Sequence, residues 1–307
     1  MAGGQERILR RRIRSIQSTM KITRAMELIA ASRIVRAQQA IAATRPYVEK
    51  MAEVVSHLSR TPEARRHPLF REASSVRRAA VVAIAGDRGL SGPYNSSVLR
   101  ATERVIADHA AAGHEVVLIA VGRRVSGYFR YRNREVASAF TGMADRPTVE
   151  DAATVAAAVM APYEAGDIDQ IDLIYTHFES MGRQYVSTRT LVPITPPDFD
   201  PNEFVVDYEY EPEPAELLDR LLPSWLQGEL LAALLSASAA EYAARQRAMK
   251  AATDNADELM TSLTRIMNRA RQDSITTEIM EIVGGAEALR SGRASDYTET
   301  YEDPDAA

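Results

Sequence analysis

The feature that most constrains the fold of this sequence is a stretch near its C-terminus, residues 229–283, that contains neither glycine nor proline. An interior glycine costs a helix about 1 kcal/mol and a proline about 3 kcal/mol, so such a stretch is typical of one uninterrupted helix. At 1.5 Å per residue this helix would be about 80 Å long. A compact domain of about 130 residues would be only about 36 Å across, so we expect the helix to extend beyond it.

The N-terminal end has the same character. No glycine lies between Gly4 and Gly86, and no proline precedes Pro46. Because an isolated helix is stable only where it buries an apolar face, each long helix needs another helix to pack against. We therefore predict that an N-terminal helix over residues 1–60 pairs with a C-terminal helix over residues 215–289 in an antiparallel coiled coil.

Each of these helices carries two sets of apolar residues at spacings of three and four, and the two sets lie on nearly opposite faces. In the N-terminal helix the sets are Ile13, Ile16 and Met20, and Ile22, Met26 and Ile29. In the C-terminal helix they are Leu259, Leu263 and Ile266, and Ile275, Ile279 and Ile282. One face can meet the partner helix. The second predicts a contact surface for another protein, or a seam that winds around the pair as it supercoils.

The middle of the chain, residues 75–197, is built differently. Short β-branched runs alternate with amphipathic stretches near 92–112, 123–131 and 148–164. The runs that indicate buried strands are 79–85, 115–121 and 170–178, and a further run over 184–194 indicates an edge strand. This alternation predicts an α/β fold, a central Rossmann-like domain with a mainly parallel sheet.

Two segments outside these units have a distinctive composition. Residues 198–214 are acidic and proline-rich, which indicates a linker that ends with Pro214 in the first turn of a helix. Pro223 is expected to kink or restart that helix. Residues 290–307 have almost no apolar content and predict a disordered acidic tail.

The composition excludes several kinds of chemistry. The absence of cysteine excludes disulfides, thiolate metal sites and a cysteine nucleophile. None of the five histidines forms an i, i+4 pair, so we expect no metal site, and no cofactor is predicted. No apolar run approaches the roughly 18 residues of a membrane span, and the N-terminus lacks the apolar core of a secretory signal. We therefore expect the chain on the cytoplasmic side of a membrane.

The net charge of −5 conceals a segregation of charge. Residues 1–60 contain 12 basic and 4 acidic residues, whereas residues 198–219 contain nine acidic and no basic residues. Such asymmetry predicts charged partners. The basic arm also fits nucleic acid, so a nucleic-acid-binding coiled-coil protein is an open alternative, although no zinc-finger, RNP or helix-turn-helix pattern accompanies it.

The loop Gly86–Gly92, GDRGLSG, follows a predicted strand and precedes a predicted helix, as nucleotide-binding loops do. Its spacing is GxxGxxG, which lacks the glycine that admits a pyrophosphate, and no Walker lysine follows. A tight strand-to-helix turn is the favoured interpretation. A dinucleotide-dependent enzyme is a weaker alternative, for which no catalytic residue can be assigned.

Two segments at opposite ends of the chain, Met20–Ser32 (MKITRAMELIAAS) and Ala248–Asn255 (AMKAATDN), resemble the paired signatures of the gamma subunit of F-type ATP synthases. Asp87–Asn95 (DRGLSGPYN) resembles the glycine-rich loop of the same family. Thr253, Asp254 and Asn255 also attract notice physically, because in a helix they cost about 1.5–2 kcal/mol relative to alanine. We expect a polar contact with a surrounding subunit to compensate.

The resemblance implies a central rotor shaft that has no catalytic site of its own and couples proton transport to ATP synthesis. The implied partners are the alpha and beta subunits around the coiled coil, and the epsilon subunit and the c-ring at its foot. The implied location is the cytoplasmic face of the bacterial plasma membrane, as a peripheral protein. Implied contacts with the alpha/beta ring are Lys21, Met26, Arg245, Thr253, Asp254, Asn255, Arg271, Gln272 and Thr276. Implied contacts at the rotor-ring foot are Tyr208 and Glu211.

Overall fold

The computed structural model describes residues 2–62, 64, 67–70, 75–194 and 210–296. The elements in chain order are α1 (Ala2–Leu58), a 3-10 turn (Pro68–Phe70), β1 (Arg78–Ile84), α2 (Tyr94–Ala111), β2 (Glu115–Val121), α3 (Arg123–Tyr131), β3 (Ser138–Phe140), α4 (Val149–Glu164), β4 (Gln170–Phe178), β5 (Gln184–Val192) and α5 (Pro214–Asp296).

The five strands form one sheet in the order β3-β2-β1-β4-β5. β1 pairs in parallel with β2 and β4, β2 pairs in parallel with β3, and β5 is an antiparallel edge strand against β4. The predicted strands and the edge strand are confirmed within one or two residues. β3 was not predicted, because three residues are too few to show a periodic pattern.

Helices cover both faces of the sheet, as a parallel sheet of apolar strands requires. On one face, Leu173 of β4 belongs to a core with Val155 of α4, Leu222 of α5 and Leu58 at the end of α1. On the other face, Ile174 belongs to a second core that includes side chains of α2 and α3. The predicted Rossmann-like domain is confirmed.

Gly122, directly after β2, fixes how closely the ends of two strands approach. Its φ is 103°, and a Cβ at this position would lie 2.1 Å from the backbone oxygen of Ala85. Any larger residue would push β1 and β2 apart. The loops that follow these two strands therefore emerge side by side at one edge of the sheet.

The long terminal helices are present. α5 continues through Pro223, so a restart of the helix there is wrong, whereas a kink at Pro223 stays a prediction. It also continues to Asp296, so the tail predicted to be disordered from residue 290 is helical at its start, because extending a helix that has already formed costs much less than nucleating one. The remainder of that tail, and most of the predicted linker, lie outside the described residues.

The chain divides into two compact units, Met1–Ala25 with Lys250–Ala307, and Met26–Met249. In the second unit α1 and α5 are antiparallel, since Arg33 contacts Tyr242 and Tyr47 lies against Gly228. We call this second unit the central unit and the first the terminal unit. Within the described residues, no helix is long and apolar enough to cross a membrane.

Candidate functional site

One apolar face of each helix lines the seam of the terminal unit. Ile13, Ile16 and Met20 are half-buried, and Leu263 of α5 is buried. At the seam the hydroxyl oxygens of Thr23 and Thr253 lie 2.8 Å apart in a hydrogen bond. This hydrogen bond within the chain offsets part of the free-energy cost of placing Thr253 in a helix. We had expected a contact with another subunit to offset that cost.

The opposite faces of the terminal unit are exposed. Ile22 is 61% exposed and Ile282 is 72% exposed. Ile275 and Ile279 are 45% and 53% exposed. Leu259 and Ile266, which we had grouped with Leu263, are also about half-exposed. The polar residues predicted as contacts on these helices are exposed as well: Lys21, Asp254, Asn255, Arg271, Gln272 and Thr276.

Two other predicted residues, Met26 and Arg245, come together in the central unit. They line one cavity of about 510 Å³ that lies beside the loop after β1. We call it the arginine cavity, since four guanidinium groups surround it. Its lining residues are Met26, Ile29, Ala30, Arg33, Arg88, Gly89, Leu90, Arg124, Asp145, Tyr242 and Arg245.

Asp145 organises one wall of the arginine cavity. Its carboxylate lies 3.4 Å from a guanidinium nitrogen of Arg33 and 3.4 Å from one of Arg88. The hydroxyl of Tyr242 accepts a 2.7 Å hydrogen bond from Arg33 and donates to the Asp145 carboxylate at 3.1 Å. The bond to Tyr242 raises the pKa of Arg33, and burial raises the pKa of Tyr242. Both groups therefore keep their protons at neutral pH.

Arg245 lines the arginine cavity and is itself buried. Its guanidinium donates to Glu241, one helical turn earlier, and to the backbone oxygen of Gly89 at 3.3 Å. Burial raises the pKa of Glu241, because the charged carboxylate is costly away from water, while Arg245 opposes this shift. Glu241 also lies where a Cβ of Gly86 would be, at 2.6 Å from its Oε1. The first glycine of the loop thus makes room for a carboxylate of α5, which favours the structural interpretation of the loop over the nucleotide-binding one.

Two cations of the arginine cavity are available to a partner. Arg88 is exposed and shares Asp145 with Arg33, so one carboxylate faces two guanidinium groups. Arg124, the second residue of α3, is exposed, and no carboxylate in the described part of the chain pairs with it. With the exposed side chain of Leu90 nearby, the cavity offers a basic rim around apolar surface.

Most residues of the arginine cavity were missed by sequence reasoning. Arg88 and Leu90 lie inside the loop segment Asp87–Asn95 that we had singled out, but as ordinary turn residues. Arg124, Asp145 and Tyr242 carry no local signal, because only the sheet topology brings the loops after β1, β2 and β3 beside α5. At the predicted foot, Glu211 is exposed, and Tyr208 lies outside the described residues.

The class of protein that this fold defines is a Rossmann-like domain that carries a pair of long terminal helices. The sequence matches the family described as ATP synthase over residues 5–289. It is 47% identical over 299 residues to the ATP synthase gamma chain of Frankia casuarinae, covering 94% of this chain and 99% of that one. It is 41% identical over 301 residues to the gamma chain of Streptomyces coelicolor, covering 95% and 98%.

Solved structures share the fold. A chain of the Euglena gracilis mitochondrial ATP synthase, in an assembly of OSCP, F1 and c-ring, matches with a TM-score of 0.64 at 16% identity and covers 99% of both chains. A chain of the Tetrahymena thermophila mitochondrial ATP synthase central stalk and c-ring matches with a TM-score of 0.57 at 24% identity, covering 75% of this chain and 99% of that one. This chain belongs to the ATP synthase gamma-chain family, the central-stalk subunit of the rotary complex.

Proposed function

We propose that this chain is the rotating shaft that couples proton flow to ATP synthesis. The helix pair over residues 1–60 and 215–289 would turn inside a ring of alpha and beta subunits. As each face of the shaft passes, it would favour one conformation of the nearest beta subunit over others and so shift its population. The catalytic residues would lie on beta, and this chain would have none.

The observation that supports this proposal best is the exposed apolar face of α5. Ile275, Ile279, Met280, Ile282 and Val283 are all exposed, and together they form a continuous surface at helical spacing. Monomeric soluble proteins seldom leave such a surface uncovered, so a partner is expected to cover it. Arg271, Gln272 and Thr276, at the start of this face, would make the polar contacts at its edge.

We further propose that the arginine cavity docks an acidic segment of a beta subunit. Arg88 and Arg124 would attract it over a distance, and Leu90 and Ile29 would provide apolar contact once it arrived. Charge attraction raises association rates more than it raises affinity. Such a contact can therefore form and break as the shaft turns, without locking it in place.

At the other end, Glu211 and Tyr208 would contact the c-ring, and the epsilon subunit would bind nearby. The linker over residues 198–214, which contains both residues, would connect the central domain over residues 75–197 to the C-terminal helix. The chain would then be a peripheral protein on the cytoplasmic face of the bacterial plasma membrane. The chain of similar fold in the Tetrahymena thermophila assembly of central stalk and c-ring supports a contact with a c-ring.

Co-expression of this chain with the alpha and beta subunits of the same organism tests the proposal. We expect a complex that contains one copy of this chain and hydrolyses ATP at a rate that alpha and beta alone cannot sustain. Absence of a complex, under conditions where alpha and beta fold, would contradict the shaft role and favour the nucleic-acid alternative.

Arg271→Ala and Gln272→Ala test the upper contact. In membranes that contain the whole complex, we expect each variant to reduce ATP synthesis by about tenfold, which corresponds to about 1.4 kcal/mol, the loss of one polar contact with the partner. The free energy of unfolding should change by no more than about 0.5 kcal/mol, because both side chains are exposed. Arg269→Ala, an exposed neighbour outside the predicted contacts, is the matched control. Full coupling in both variants would show that these contacts are assigned wrongly.

Arg88→Gln combined with Arg124→Gln tests the arginine cavity. We expect slower association with the alpha/beta ring and a weaker dependence of that rate on salt, because two exposed cations are removed. The control is Arg104→Gln, an exposed residue of α2 that does not line the cavity. An unchanged salt dependence would remove the cavity from the proposed contact surface.

A further inference from the structure

A second cavity of the central unit adjoins the arginine cavity, and the two share residues. It has a volume of about 290 Å³ and lies between α1, α5 and the loop after β3. We call it the side cavity. Arg33, Asp145 and Tyr242 line both cavities and therefore lie where the two meet. The side cavity adds two exposed cations, Arg36 and Arg146.

The charges around the two cavities are very unequal. Among the residues that line them, within the described part of the chain, Asp145 is the only carboxylate. The cations that line them are Arg33, Arg36, Arg88, Arg124, Arg146 and Arg245. Of these, Arg245 is already paired with Glu241. An acidic partner therefore meets one negative charge, Asp145, in an otherwise basic surface.

A nearby carboxylate, Asp87, is held in a quite different way. Its side chain is 6% exposed, and its two oxygens each accept a 2.9 Å hydrogen bond, from the backbone N–H groups of Arg123 and Gly142. These bonds join the loops that follow β1, β2 and β3, so the backbone beside the arginine cavity is fixed. Asp87 lines neither cavity, and its role is structural.

The Asp145 side chain, by contrast, contacts other side chains, and its ion pairs are loose. Its Oδ2 atom lies 3.4 Å from a guanidinium nitrogen of Arg33 and 3.4 Å from one of Arg88, whereas a charge-assisted hydrogen bond is about 2.7–2.9 Å long. The Asp145 side chain is 29% exposed and that of Arg88 is 67% exposed. Solvent screens pairs of this kind, so they contribute little net free energy.

Asp145 keeps other partners when its contact with Arg88 is broken. The hydroxyl of Tyr242 donates to its carboxylate at 3.1 Å, and Arg33 contacts the same carboxylate oxygen as Arg88. Loss of the Arg88 contact therefore leaves no buried charge unpaired. Arg88 is in this respect a cation that can exchange one carboxylate for another.

We propose that Asp145 competes with an acidic partner for Arg88 and thereby keeps the contact weak. This inference rests on the proposed docking of an acidic segment in the arginine cavity. A partner carboxylate replaces Asp145 at Arg88, so one ion pair forms as another is lost, and the net gain in binding free energy is small. Since Asp87 fixes the loops, only side chains move. Such a contact forms and breaks readily, as a turning shaft requires.

Calorimetric titration of the full chain with a short synthetic peptide of glutamate and leucine tests the proposal. Asp145→Asn should bind the peptide about fivefold more tightly, the effect of removing one competing charge at a partly exposed site. Asp145→Glu keeps the charge and should stay within about twofold of the parent chain. Glu135→Gln, which removes an exposed carboxylate that lines neither cavity, should also stay within about twofold.

A second variant shows whether the gain depends on Arg88. Arg88→Gln alone should weaken peptide binding by about fivefold, because it removes the cation for which the two carboxylates compete. In that background, Asp145→Asn should improve binding by less than about twofold. Denaturation followed by the fluorescence of Trp225, the single tryptophan, checks that every variant has a folded central unit.

Three results would overturn the proposal. They are no tighter binding by Asp145→Asn, an equal gain in Asp145→Glu or Glu135→Gln, and a gain that persists in full in the Arg88→Gln background. A role of Asp145 in loop structure alone would produce the second result, because both substitutions at this position would then disturb the loop.

Association with the alpha/beta ring separates a failure of this inference from a failure of the proposed docking. If Arg88→Gln with Arg124→Gln slows association while Asp145→Asn leaves it unchanged, the docking stands and the competition is wrong. If Asp145→Asn tightens peptide binding through Arg88 but the double arginine variant associates like the parent chain, the competition stands and the docking of a beta segment is wrong.

Discussion

Helix α5 is two different kinds of helix along its length. From Leu230 to Arg245, in the central unit, most side chains are buried on every side, and small residues such as Ala233 and Ala240 let the sheet and α1 approach closely. From Ile275 to Leu289, in the terminal unit, every side chain is exposed. The same helix thus builds core in one region, where 12 of 16 residues are apolar, and open surface in the other, where 8 of 15 are apolar. Apolar residues beyond the reach of the fold mark surfaces for partners.

The largest effect should come from the buried ion pair in the first region. Glu241→Gln leaves the Arg245 guanidinium buried without a counter-charge, so we expect the free energy of unfolding to fall by about 3–5 kcal/mol. Chemical denaturation followed by Trp225 fluorescence measures this, because that residue packs against the core of the central unit. Glu281→Gln, at an exposed position of the same helix, is the matched control, with a change below about 0.5 kcal/mol.

The double variant Glu241→Gln with Arg245→Met sharpens the same prediction. It removes both charges, so most of the lost stability should return. If the double variant were as unstable as Glu241→Gln, the loss would come from packing and not from the unpaired charge.

The next effect should come from ordinary core packing. Leu230→Ala removes a fully buried side chain, and we expect a loss of about 3 kcal/mol. Leu289→Ala, where the side chain is 76% exposed, should change the free energy of unfolding by no more than about 0.5 kcal/mol. Equal losses at the two positions would show that the exposed end of α5 is packed in solution.

The sequence was sufficient for the elements and insufficient for the arginine cavity, for physical reasons. Helix and strand periodicities are local, so α1, α5 and the strands from β1 to β5, apart from β3, could be predicted. Proline was a poorer guide to where a helix is interrupted, because packing of Leu222 and Leu226 on the core keeps α5 continuous through Pro223. The cavity depends on loops after three strands, and no local pattern shows that Arg124 and Asp145 face Met26. The family resemblance identified Met26 and Arg245. The structure shows that both line the arginine cavity together with residues that belong to no motif.

A smaller effect should come from the threonine pair of the terminal unit. Thr253→Val removes the 2.8 Å hydrogen bond to Thr23, and we expect a local loss of about 1 kcal/mol. Amide hydrogen exchange of the helix pair measures it. Thr277→Val, an exposed threonine of the same helix, is the matched control. The transition seen by Trp225 should not move, because that residue lies in the central unit. A shift of that transition would mean that the two units unfold together.

The smallest effect should be a pH dependence that belongs to the central unit alone. Burial lowers the pKa of His177 below its ordinary value of 6.5. Between these two pKa values the unfolded chain binds more protons than the folded unit. The stability from His177 is therefore present above pH 6.5 and is lost as the pH falls toward the folded pKa. His67 has a lowered pKa of the same origin, so His177→Gln should reduce the acid loss of stability without removing it.

Denaturation followed by Trp225 at about pH 8 and about pH 5 measures this. The variant should match the parent in its response to pH in the terminal unit, where amide exchange is the readout. A parent and variant that lose equal stability between these pH values would contradict the role of His177, and a change in the terminal unit would contradict the separation of the two regions.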